Sequence, residues 1–218
     1  MLTAFLTGAA GAAIGVVLGL WTRRTLAALN YRLDDEQHLP TPGPRRWIIW
    51  VSALSLGSIG AWLAATGSWA LAPILLPLAL TGPVLAAIDL DVMRLPNRIL
   101  VPVAVAAFGG LASTVLTQSG WTTALRGLLG GLIAGGTLAV LSLITHGGIG
   151  FGDVKLAVIL GVSTGAITIA AAVWSLLLGS ISALAWIKVE HRGDPLPYGP
   201  WLLIGAWAGL LLSGFAVV

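Results

Sequence analysis

LALTGPVLAAIDLD, residues 78–91, is an apolar run that closes on two carboxylates. Its apolar residues do not alternate with a period of two; they continue around every helical face, which describes a helix in apolar surroundings and not a half-solvated strand. A carboxylate at the end of a membrane-type segment is costly to desolvate and is normally paired or functional. Fold and chemistry therefore meet in one stretch, with Asp89 and Asp91 as its carriers.

Outward from it, roughly eight apolar segments can be marked, at about 3–22, 47–65, 70–90, 99–117, 123–145, 154–165, 167–187 and 198–217. The sixth falls short of the ~20 residues that a full crossing needs, so it is expected to be tilted or buried among its neighbours. Composition agrees: 57% of the 218 residues are apolar, 9% are charged and the mean hydropathy is +0.98, against about 25% charged in a soluble domain. With lipid as the solvent, backbone groups must be satisfied within each segment. The expectation is an all-α membrane protein, a polytopic bundle of about eight transmembrane segments. Residues 1–22 have neither a basic leader nor a cleavage pattern and read as a retained first span.

Arg23, Arg24, Arg32, Arg45 and Arg46 fall between the first two segments, Arg94 and Arg98 between the third and fourth, Lys155 after the fifth, and Lys188 and Arg192 between the last two. Only Arg126 falls on the opposite side. Such a bias marks the cytoplasmic face and accounts for the net charge of +3 without a nucleic-acid partner. Trp21, Trp47, Trp69, Trp121, Trp186 and Trp201 sit at segment ends, as interfacial anchors do. The polar connector LDDEQHLPTPGPRR, residues 33–46, reads as a solvated, irregular loop, and its Asp34, Asp35 and Glu36, like Glu190 and Asp194, as surface acids. GLLGGLIAGG, residues 127–136, suits close helix approach.

Cysteine is absent, which excludes disulfides, thiolate metal sites and cysteine nucleophiles. His38, His146 and His191 form no ligand pair, so neither a metal nor a cofactor is expected. The chemistry then falls to Asp89, Asp91 and Asp153, the last in GIGFGDVKLAVIL, residues 148–160. From Asp89 the chain turns, crosses out and returns, so one helical hairpin carries Asp89 and Asp153 to the same depth. Two carboxyl groups a few Å apart share a proton, and such a pair can activate water against a peptide carbonyl. Gly147, Gly148, Gly150 and Gly152 leave the backbone before Asp153 free of Cβ obstruction, and Pro96 fixes a turn after Asp89. Asp91 points about 200° away from Asp89 on a helix; capping the turn, pairing with Arg94 or Arg98, and supporting the site all stay open for it. Lys155 either favours an ionised Asp153 or snorkels to the headgroups. A small proton- or cation-coupled transporter using the same aspartates is the alternative; the absence of evident inverted repeats and the placement of both acids near one face speak against it.

IDLDVMRLPNRIL, residues 88–100, resembles the first signature of the bacterial type IV prepilin leader peptidases, with Asp89 seven residues before the Pro96–Asn97 turn. GFGDVKLA resembles the second, through Gly150, Gly152, Asp153 and Lys155, and PYGPWLLIGAW from Pro197 resembles the third, with Tyr198 in place of a Phe. The ordered set implies a membrane aspartic endopeptidase of the inner membrane, with Asp89 and Asp153 catalytic and the active site facing the cytoplasm. Its partners would be the bilayer and pilin-like precursors, each with a basic leader cut after a glycine ahead of an apolar helix. The resemblance divides the chain into residues 1–69, two spans with loop 23–46, and a peptidase-like membrane domain, 70–218. Longer members carry a cysteine-containing loop and also methylate the new N-terminus. Loop 23–46 has no cysteine, so peptidase activity alone is expected, and GLWTRRTLAALNYRL at 19–33 is similar to the family's first-span motif.

Overall fold

The computed structural model describes residues 1–116, 120–146, 148–190 and 196–215; Gly147, His191, Arg192 and Asp194 lie outside the described residues. Among the described residues the ordered structure is helical throughout. It comprises α1 (Leu2–Ala27), α2 (Trp47–Thr66), α3 (Ala72–Val92), α4 (Asn97–Thr114), α5 (Gly120–Ile144), α6 (Phe151–Ile167), α7 (Ile169–Glu190) and α8 (Gly199–Phe215), with 3-10 turns at Asp34–Glu36 and Trp69–Leu71. Six of these helices are long and apolar enough to cross a membrane. The chain is an all-α, multi-pass membrane protein.

The sixth segment is longer than its apolar core suggests, because α6 begins at Phe151 and includes the GFGD stretch. It is buried along nearly its whole length and packs against α4, α5, α7 and α8. A helix that is apolar all round belongs inside a bundle, and α6 is the post around which this one is built. The boundary after it lies at Thr168, beyond the 166 of the sequence reading. One extended residue (φ −152°, ψ 151°) separates α6 from α7, and its Oγ1 accepts the Ala171 N–H at 2.9 Å. A threonine N-cap therefore restarts the helix where apolar periodicity continues unbroken.

Other boundaries differ in ways that matter for the charges. Helix α1 runs to Ala27, so Arg23 and Arg24 belong to its last turns and not to the connector. Helix α3 continues to Val92, so Asp89 and Asp91 lie within its final turn. There Met93 takes the left-handed conformation (φ 50°) and its N–H reaches the Asp89 carbonyl at 2.9 Å; Pro96 is extended and starts α4. A residue before a proline disfavours helix, and proline suits a helix start.

Close approach explains the glycines of the α5–α6 contact. A Cβ on Gly130 would lie 2.3 Å from the Gly161 carbonyl oxygen, and one on Gly161 would lie 2.4 Å from the Gly130 oxygen. Backbone meets backbone there, and no side chain can yield. Lipid offers no hydrophobic drive between helices, so such packing is what holds them. Gly161→Ala is expected to cost about 1–3 kcal/mol through forced separation, read as a lowered thermal midpoint in detergent. Gly136→Ala, with open space around its Cβ, is expected to leave the midpoint unchanged.

Candidate active site

The three stretches singled out in the sequence converge at one end of the bundle. Asp89 closes α3, Asp153 sits in the first turn of α6, and Gly199 opens α8. Both carboxylates are withdrawn from solvent, Asp89 at 2% and Asp153 at 9% exposure, and they are near enough for their charges to interact. Asp89 Oδ2 accepts the Gly199 backbone N–H at 2.9 Å. Asp153 is the third residue of α6, where unsatisfied backbone N–H groups favour an anion. Its Oδ1 is buried without a hydrogen-bond partner among the described residues. A buried acceptor without a partner is costly.

The first two motifs are also tied to each other. Lys155 Nζ donates to Asn97 Oδ1 at 2.9 Å and lies 4.9 Å from the centroid of the Phe151 ring. Lys155 therefore reaches across to the α3–α4 turn and does not simply extend to the headgroups. Leu95, just before Pro96, presses on Gly152: a Cβ there would lie 3.0 Å from the Leu95 Cβ. A side chain at 152 would thus press on Leu95, and Gly150, extended (φ −63°, ψ 141°) at the head of α6, has Asp153 Oδ2 3.1 Å from where its Cβ would be.

The third motif supplies what the sequence reading missed, a donor for Asp89. Pro197 and Pro200 flank Tyr198 and Gly199, and proline has no N–H, so the Gly199 N–H is a donor that no helical bond claims at the start of α8. A Cβ on Gly199 would come within 2.9 Å of Asp89 Oδ2. The Tyr198 hydroxyl, in place of a Phe edge, pairs with Ser180 Oγ of α7 at 2.8 Å.

Asp91 does not join the pair. It faces the first connector, where it meets Arg32 at 2.8 Å and Arg45 at 3.4 Å, and accepts a short bond from the Tyr31 hydroxyl. The partners weighed for it from the sequence, Arg94 and Arg98, are thereby corrected, since Arg94 instead binds Glu36 at 2.8 Å. The reading of the connector as a solvated loop is corrected too: Arg32 is buried, at 6% exposure, and Glu36 is an ion-pair partner. Hydrogen bonds from Arg94 hold the Glu36 carboxyl below its ordinary 4.5, so the pair stays ionised at neutral pH. The pattern is invisible in sequence because its partners are some 58–63 residues apart.

Beside the site runs an apolar groove of about 570 Å³ between α2, α3 and α8. Leu90, Pro197 and Pro200 line the end nearest Asp89 and Gly199, and Leu75 and Leu210 the far end. Trp186 and Trp201, expected as interfacial anchors, lie with ring centroids 5.3 Å apart at a tilt of 39° and line its wall. Across it the Trp207 Nε1–H donates to Ser58 Oγ at 2.8 Å.

The sequence matches the type IV leader peptidase family over residues 74–187, which includes Asp89, Asn97, Asp153 and Lys155. Similar proteins include prepilin leader peptidase/N-methyltransferases from Bacillus subtilis strain 168, 32% identical over 126 residues, and from Aeromonas salmonicida strain A449, 32% identical over 167 residues. The first alignment covers 56% of this chain and 49% of the relative; the second covers 72% and 55%. The chain thus spans about half the length of the curated relatives it matches. No solved structure matches.

Gly199→Ala tests the tightness of the site. Its methyl group must displace either α8 or the Asp89 carboxyl, and a loss of about 1–3 kcal/mol is expected, read as a lower thermal midpoint than that of the parent chain.

Proposed function

The chain belongs to the type IV leader peptidase family, and from that premise we propose that it is a membrane aspartic endopeptidase that removes the leader of pilin-like precursors. The observation that carries this reading is the buried Asp89–Asp153 pair, on two helix ends that three separate motifs bring together. In the proposed mechanism the pair shares one proton. The ionised carboxyl takes a proton from water as that water attacks the peptide carbonyl, and the protonated partner hydrogen-bonds the carbonyl oxygen as the tetrahedral species forms. The proton is then delivered to the leaving amine, which returns the pair to its starting state. The Gly199 N–H orients Asp89, and the Lys155–Asn97 bond holds the head of α6 against the turn after α3.

The surroundings of the pair support this substrate class. The apolar groove beside Leu90 and Pro200 suits the apolar helix of a precursor lying in the bilayer, with the bond to be cut at its end, level with the aspartates. The arginine bias supports a cytoplasmic position, at the inner membrane, for this end of the bundle. A transporter using the same acids is not favoured: both acids sit at the mouth of the bundle and not at its midplane.

Asp89→Asn and Asp153→Asn are each expected to lower leader cleavage of a co-expressed pilin-like precursor by about a thousandfold, the scale of positioned acid–base catalysis, with membrane insertion unchanged. An immunoblot of precursor and mature forms checks this, and near-parental processing by either variant removes that residue from the mechanism.

The product should leave unmethylated. The connector after α1 has no cysteine, and its interior is taken up by the bonds of Arg32 and Arg94 to Leu39, Pro40, Tyr31 and Glu36, whereas a methyl donor of nucleotide size needs a pocket of about 300 Å³. Mass spectrometry of product made by the purified chain with S-adenosylmethionine checks this. Addition of one CH₂ at the N-terminal residue would refute it.

A further inference from the structure

The last turn of α3 is held from two opposite sides. Asp89 and Asp91 project about 200° apart around the helix; the first is bound by Gly199 of α8 and the second by the connector after α1. We propose that Tyr31, Arg32 and Arg45, closed around Asp91, form a positioning cage that fixes the depth and rotation of Asp89. This deepens the peptidase reading, on which its catalytic consequence rests.

The cage has the features of a rigid mount. Arg32 Nε and Nη2 donate to the two oxygens of Asp91 at 2.9 and 2.8 Å, a bidentate fork. Arg32 Nη1 and Nη2 also donate to the carbonyls of Leu39 and Pro40 at 2.9 and 2.8 Å. The guanidinium is engaged on both edges and cannot swing. Arg45 Nη2 donates to the Tyr31 hydroxyl at 2.8 Å, and that hydroxyl donates to Asp91. The connector is anchored again below α3, where Arg94 donates to both Glu36 oxygens and, at 3.1 Å, to the Tyr31 carbonyl.

Stability alone is a poor account of this arrangement, because a buried ion pair can often be replaced by apolar side chains of similar size without loss. Placement is a better one. Beyond Asp91 the helix ends, with Met93 left-handed and Pro96 extended, and a displacement of about 1 Å at a reacting group can cost about a hundredfold in rate.

The chain has no cysteine, so Asp89→Cys introduces a single thiol at the position in question. Its rate of maleimide labelling in membranes is measured alone and with Arg32→Gln, with Tyr31→Phe, and with the apolar pair Arg32→Met/Asp91→Leu. Arg32→Gln is expected to speed labelling about tenfold, and Tyr31→Phe less but in the same direction. The apolar pair keeps the thermal midpoint and separates placement from folding: faster labelling supports the cage, and labelling at the parental rate overturns it. With Asp89 restored, the same changes are expected to lower kcat for precursor cleavage at least tenfold with KM within twofold. Parental kcat in folded variants likewise overturns the proposal. A parent chain that cleaves no precursor defeats the peptidase reading instead, and the labelling rates still decide whether the cage sets the depth of residue 89.

Discussion

An ionisable group carried into an apolar bundle has to be met by other polar groups, because neither lipid nor packed methyls will solvate it. The end of α3 presents this demand twice within three residues, and the two answers organise much of the structure. Asp89 is answered by a backbone N–H at the start of α8, which requires a glycine and brings a distant proline-flanked turn to it. Asp91 is answered by side chains from a connector that would otherwise have no reason to fold. A third acid, Asp153, has an oxygen with no hydrogen-bond partner among the described residues.

The geometry that delivers Asp153 depends on contacts of a different kind. Helix α6 is buried on all sides, and its approach to α5 is set by glycine against glycine. With no side chains between them, the helices have little freedom in spacing, and the residues at the head of α6 inherit that precision. The polar tie from Lys155 to Asn97 and the apolar press of Leu95 on Gly152 then fix the same head laterally.

Much of this was legible in the sequence, for reasons that differ from residue to residue. Helical spans follow from long apolar runs, and the convergence of Asp89 and Asp153 on one end follows from counting crossings. The spacing of Asp89 to Pro96 and the Gly-x-Gly-Asp run pointed to two side chains that the structure buries at one end of the bundle, while their catalytic role stays with the proposal. What the sequence did not yield is long-range and polar. Nothing local distinguishes Arg32 from any loop arginine, and its partner lies 59 residues away. Glu36 reads as a surface acid for the same reason. The third motif was visible as a stretch, but that its use is a single backbone N–H cannot be read from side-chain identity. Thr168 was missed because an apolar run continues through it, and only its φ and ψ reveal the break.

That break also sets how the gene can vary. In the connector after α1, the stretch 41–44, between the Pro40 carbonyl that Arg32 binds and Arg45, absorbs added or lost residues with little entropic penalty, whereas the joint between α6 and α7 is one residue long and has no slack. Inserting or deleting a single residue there would turn everything beyond it by about 100° about the helix axis. Gly179 and the serines of α7 that face α8 would be carried into lipid and its leucines into the bundle. Length polymorphism among related chains is therefore expected to gather at 41–44, clear of the bonds around Asp91, and to be absent at the α6–α7 joint, so the position of gaps in an alignment becomes a record of where this bundle is slack and where it is welded.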